Sequence, residues 1–137
     1  MTGKHPSDTP LSHLSILLVE DDNFAMRLAQ SVLKQLGIRL VICARDGAEA
    51  LRVLNEGAQK FDLIVSDWTM PKMSGLELLQ EVRKTWIDMP FLMLTGRATP
   101  DFVLEARKNG VDAYVVKPFS PDQLTKKIAG IFKLTVR

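Results

Sequence analysis

Carboxylates and a lysine, each placed just after a short apolar run, are the residues of this chain whose types and spacing could do chemistry. Asp67 closes the run Phe61, Leu63, Ile64, Val65, Ser66 and precedes Trp68-Thr69-Met70-Pro71. Glu20-Asp21-Asp22 follows Ile16-Leu17-Leu18-Val19, Thr95 follows Phe91 to Leu94, and Lys117-Pro118 follows Ala113-Tyr114-Val115-Val116. A single Asp before a proline-containing loop commonly does no more than cap a turn. Acids after two strands and a lysine after a third make a different case, because an open α/β sheet brings the carboxyl ends of its strands to one crevice. Three carboxylates within a few ångströms of one another repel strongly unless some protonate or a divalent cation neutralises them. The cation is the preferred reading, and oxygen donors with no His or Cys nearby select Mg2+, for which Mn2+ can substitute. An Asp in such a pocket can also act as a nucleophile toward phosphorus, provided the charge on the transferring group is held by metal and ammonium.

The elements that must position these residues alternate strand and helix. After Ile16 to Val19, the residues Ala25, Leu28, Ala29, Val32, Leu33 and Leu36 recur at helical spacing and Gly37 stops them. Ile38 to Cys43 is a second strand, and Asp46-Gly47 opens a helix with Ala50, Leu51 and Leu54 on one face, ending near Gly57. The central strand Phe61 to Ser66 leads to a helix of Leu76, Leu79, Val82 and Trp86, then to the strand Phe91 to Leu94. Phe102, Val103 and Ala106 make a fourth helix, stopped at Asn109-Gly110; Val111 to Val116 is a fifth strand. Leu124, Ile128, Ile131 and Phe132 form a last helix opened by Ser120-Pro121-Asp122. Strand runs that are continuously apolar indicate a sheet covered on both faces, and their alternation with helices makes it parallel. The expected fold is α/β, a doubly wound five-stranded parallel sheet.

A chain of 137 residues with 46% hydrophobic content suits one compact domain. The expected division is a mobile N-terminal tail over residues 1–14, rich in Pro, Ser and Thr, and a folded domain over 15–134. Both histidines, His5 and His13, fall in that tail with no second ligand cluster, so the domain is read as having no histidine chemistry. Net charge is +2, and the basic residues never form a run that would track a phosphate backbone, which argues against a nucleic-acid partner. Cys43, the single cysteine, lies in an apolar run and reads as a small buried hydrophobe. A reducing, cytoplasmic setting follows, with no membrane contact expected, since no apolar run approaches the ~20 residues that span a bilayer.

Glu20-Asp21, Asp67, Thr95 and Lys117-Pro118, after strands one, three, four and five, resemble the pattern of the receiver domain of bacterial two-component response regulators. The run Ser66 to Pro71 followed by Met73, Gly75 and Leu76 is similar to chemotaxis regulators of the single-domain type. The resemblance spans Ser15 to about Phe132 and implies a flavodoxin-like sheet of order 2-1-3-4-5. It also implies that Asp67 is the phosphoacceptor, phosphorylated from a phosphohistidine of a sensor histidine kinase or phosphotransfer protein, in a protein that signals rather than acting as an enzyme. Asp21, Asp67 and the backbone carbonyl of Thr69 would bind Mg2+, with Glu20 acting mainly through water. Asp22 lies outside the pocket as a helix N-cap. Lys117, in a lysine–proline pair that is typically cis in the family, would contact the phosphoryl group, and Thr95 would offer it a hydroxyl. Thr95 and Tyr114 form the expected switch toward a target protein bound at the surface of the fourth helix, fifth strand and fifth helix. Thr69 and Arg97 stand where the family sets the lifetime of the phosphoryl group, and both depart from the amide and carboxylate common in single-domain chemotaxis proteins. The expected state is a monomer, with a phosphorylation-linked dimer as a variant.

Other readings are a receiver excised from a longer regulator, and a Mg2+-dependent phosphohydrolase with an Asp nucleophile. The phosphohydrolase would require a second Asp two residues after the first, where this chain has Thr69. A dinucleotide site is excluded on charge, because the first loop is Glu20-Asp21-Asp22 rather than glycine-rich. With no effector following the last helix, the chain is read as a stand-alone regulator.

Overall fold

The computed structural model of the protein describes residues 11–96 and 99–133. Its elements alternate as β1 (Ser15–Val19), α1 (Asn23–Gln35), β2 (Leu40–Ala44), α2 (Gly47–Glu56) and β3 (Leu63–Asp67), then α3 (Gly75–Thr85), β4 (Phe91–Thr95), α4 (Pro100–Lys108), β5 (Ala113–Val116) and α5 (Pro121–Phe132). The strands are all parallel and ordered β2-β1-β3-β4-β5, as expected. Alternation along each strand divides the apolar runs between two cores. Ile16, Leu18, Leu63, Val65, Leu92 and Leu94 face α1 and α5, while Leu17, Val19, Ile64, Phe91 and Met93 face α2, α3 and α4.

Local chemistry starts the helices where the sequence places them. Asp22 and Asp46 each accept a hydrogen bond from the amide three residues on, Ala25 and Glu49, both at 2.7 Å. Ser74 with Glu77, and Ser120 with Gln123, close reciprocal capping boxes on α3 and α5.

Several features differ from expectation, among them β3 and β5, which begin two residues later than expected, at Leu63 and Ala113. The tail was expected to reach Leu14, yet Leu11 and Leu14 are buried in the α1/α5 core, and the Leu14 carbonyl accepts from the amides of Arg39 and Leu40. The folded unit therefore includes residue 11; the polar composition around Ser12-His13 hid two leucines sufficient to hold a turn down. Strand β2 begins at Leu40 because the Ile38 amide is turned back to the Leu33 carbonyl, completing the exit from α1. Leu28 lies on the exposed side of α1 with Phe24 one turn before it, while Met26, Ala29, Val32 and Leu33 are buried.

At the pole opposite the strand carboxyl ends, Arg83 of α3 joins segments far apart in the chain. Its guanidinium donates to the carbonyls of Met89 (2.6 Å) and Gly110 (2.7 Å) and to Asp112 Oδ2 (3.1 Å), and that same oxygen accepts the Phe91 amide at 2.8 Å. Removing the guanidinium breaks one part-buried and two exposed hydrogen bonds, so Arg83→Ala is expected to lower stability by about 1 kcal/mol. Urea unfolding with an unchanged slope checks this; an unmoved midpoint would show that the cluster contributes nothing.

Candidate functional site

Register alone brings the strand-end residues together. Val19 pairs with Ser66, so Glu20 leaves β1 beside Asp67; Thr95 pairs with Val116, so Lys117 leaves β5 just beyond Thr95. Backbone pairing continues past the strands, with Glu20 N donating to Ala44 O (3.0 Å), Trp68 N to Leu94 O (2.8 Å) and Lys117 N to Thr95 O (2.7 Å). Glu20, Asp67, Thr95 and Lys117 are therefore placed by sheet hydrogen bonds.

Carboxylate oxygens of Glu20, Asp21 and Asp67 all lie within 4.8 Å of one another. Glu20 and Asp67 are buried and Asp21 is exposed. The Lys117 ammonium donates to Glu20 Oε1 at 2.9 Å and sits 2.8 Å from Asp67 Oδ1. Burial pushes the Glu20 carboxyl above the usual range; the hydrogen bond from Lys117 opposes that, and the charge of Asp67 adds to it. Burial pulls the Lys117 ammonium down, but its hydrogen bonds to Asp67 and Glu20 outweigh it, so the group is shifted upward and stays charged at neutral pH. Among the described residues, one ammonium thus faces three carboxylates. That excess of oxygen donors, with no His or Cys in the cluster, fits a hard divalent cation.

Thr95 is buried at the end of β4, and Tyr114 is half-buried on the edge strand β5 opposite Met93. Thr69 is exposed in the loop after Trp68. Arg97, expected to influence phosphoryl lifetime, lies outside the described residues. The Lys117–Pro118 bond is cis.

Sequence reasoning passed over two features of the site. The Gly75 amide donates to the Trp68 carbonyl at 2.7 Å, so α3 begins directly against the chain leaving Asp67. The signal for this contact was the glycine following Ser74, the N-cap of α3. The Trp68 ring meets Phe102 of α4 edge to face, a pairing between distant residues that periodicity does not reveal.

The parallel order β2-β1-β3-β4-β5, with acids after β1 and β3, a threonine ending β4 and a lysine after β5, defines a class that direct comparison identifies. Residues 16–129 match the response regulator receiver domain, and the chain belongs to that family. It is 40% identical over 122 residues to the chemotaxis protein CheY of Pseudomonas aeruginosa, covering 88% of this chain and 97% of that one. Among solved structures it is similar to CheY4 of Vibrio cholerae, with a TM-score of 0.79 and 32% identity, covering 86% of this chain and 98% of that one. It is also similar to the receiver domain of the histidine kinase CKI1 from Arabidopsis thaliana complexed with Mg2+ and BeF3−. There the TM-score is 0.77 and the identity 28%, over 90% of this chain and 92% of that one.

Proposed function

We propose that Asp67 accepts a phosphoryl group from a phosphohistidine of a sensor histidine kinase or phosphotransfer protein, and that the phosphorylated chain signals by contact with a target protein. The observation that carries this is the Lys117 ammonium 2.8 Å from Asp67 Oδ1, inside a pocket whose acids, among the described residues, outnumber its cations. A carboxylate oxygen of Asp67 attacks phosphorus, an O–P bond forms, and the P–N bond breaks with its electron pair returning to the donor imidazole. Asp21, Asp67 and the Thr69 carbonyl would hold Mg2+, with Glu20 acting mainly through water, and the ion would supply positive charge for the phosphoryl oxygens. Lys117 stabilises the charge that develops beside Asp67, and Thr95 donates its hydroxyl to a phosphoryl oxygen.

The chain acts as a phosphoacceptor whose own pocket assists gain and loss of the group, rather than as an enzyme turning over a free substrate. Thr95 and Tyr114 carry the change to the face of α4, β5 and α5, where the target protein binds. Thr69 and Arg97, two residues beyond Asp67 and Thr95 respectively in the sequence, set the lifetime of the acyl phosphate. Similarity to a chemotaxis protein supports a role in chemotaxis. The chain would act in the cytoplasm, as a monomer or as a dimer formed on phosphorylation.

Metal removal tests the reading. Incubation with acetyl phosphate and Mg2+ is expected to add one phosphoryl mass to the intact protein, and excess chelator to abolish the gain. Equal labelling with and without chelator would contradict the metal requirement, and no labelling in Mg2+ would contradict the phosphoacceptor role.

A further inference from the structure

We infer that Phe102 is a positioning residue that ties α4 to the backbone just beyond Asp67 through the Trp68 ring, so that the placement of α4 depends on the state of the site. This rests on the phosphoacceptor reading and adds a second connection to the one assigned to Thr95 and Tyr114. The two rings meet with centroids 5.0 Å apart and planes at 75°, the favourable edge-to-face arrangement.

Trp68 is fixed at both of its backbone groups. Its amide donates to the Leu94 carbonyl, immediately before Thr95, and its carbonyl accepts the Gly75 amide. A displacement of either Asp67 or Thr95 therefore acts on the peptide that carries the indole. The side chain is buried, so it has no room to absorb that displacement by swinging into solvent.

At the other end of the contact, α4 is the least secured of its neighbours. Its buried side chain is Ala106, whereas α3 buries Leu78, Leu79 and Val82, and α5 buries Leu124, Ile128 and Ala129. Thr99, its N-cap, makes no side-chain cap bond, while α3 and α5 both open with capping boxes. Phe102 stands near the start of this helix, half-buried, and packs against the core below. The ring contact is thus one of the attachments that hold the amino-terminal half of α4 to the site. A weakly held element is one whose position a small differential interaction can shift.

The test uses the full chain as wild type, Phe102→Leu and Phe102→Tyr, with Mg2+ and BeF3− as the phosphoryl stand-in. Backbone amide hydrogen exchange over residues 100–108 is measured with and without the stand-in, and acetyl phosphate labelling is measured alongside. In wild type the stand-in is expected to change exchange across α4. In Phe102→Leu that change should fall at least about twofold, the lower end of what such a ring pair is worth, while labelling stays nearly unchanged. Phe102→Tyr, which keeps the ring edge, should restore the wild-type response. A full response in Phe102→Leu, an equal loss in Phe102→Tyr, or no response in labelled wild type would each overturn the link. Failure of wild type to label would instead remove the phosphoacceptor reading, and the link with it.

Discussion

Gly75→Ala is expected to cost about 3 kcal/mol of stability or more, the upper end for overpacking at a buried position. A Cβ at this position would lie 2.2 Å from the Asp67 carbonyl oxygen, 2.9 Å from Trp68 Cα and 2.8 Å from Met93 Sδ. The methionine can move aside, but the other two atoms belong to the backbone that leaves β3, and that backbone is tied to β4 by the Trp68 amide. Relief must come from withdrawing α3, which breaks the Gly75–Trp68 hydrogen bond and uncovers Leu78, Leu79 and Val82. The loss therefore combines overpacking with exposure of apolar surface. The same displacement moves the loop that carries Thr69, so phosphoryl transfer should slow along with the loss of stability. Gly130→Ala is the matched control. A Cβ added at that position in α5 would meet nothing within 4 Å, and replacing a helical glycine there should stabilise by roughly 0.5–1 kcal/mol. Urea midpoints of the two variants against wild type decide the matter, and a Gly75→Ala midpoint equal to wild type would show that α3 does not bear on the nucleophile.

Charge at strand ends made the clustering of the acids and the lysine legible in the sequence. Glu20, Asp21, Asp67, Thr95 and Lys117 each stand within two residues of a strand's carboxyl end, and parallel register turns that position along the chain into proximity in space. The helix starts were legible for a similar reason, because Asp22, Asp46 and Ser120 cap through bonds to amides three residues away. What was not legible depends on contacts between distant segments. Arg83 reaches Asp112 across 29 residues, and neither residue type announces the other. Leu11 and Leu14 belong to the core although their neighbours are polar, and Leu28 faces solvent although its spacing from Ala25 and Val32 suits an apolar stripe. For Gly75 the deciding quantity is the distance to the Asp67 carbonyl, which no pattern along the chain encodes.

Asp67→Asn is expected to abolish phosphoryl transfer while leaving the fold intact. The amide nearly matches the carboxylate in size and shape, so packing at the end of β3 is preserved, but its nitrogen and oxygen are too weakly nucleophilic to form the O–P bond. Lys117 retains its 2.9 Å partner in Glu20, and removing one charge from the cluster relieves the repulsion that the Asp67 charge exerts on Glu20. Stability without divalent cation should therefore equal or slightly exceed that of wild type, which separates loss of chemistry from loss of structure. Cation affinity should fall, since one of the three carboxylate donors is gone. The most direct test is intact-protein mass spectrometry of wild type and Asp67→Asn after acetyl phosphate and Mg2+, with peptide mapping of the labelled residue. The expected result is one phosphoryl mass on Asp67 in wild type and none in the variant; an equal mass gain in both proteins would contradict the assignment of Asp67 as the phosphoacceptor.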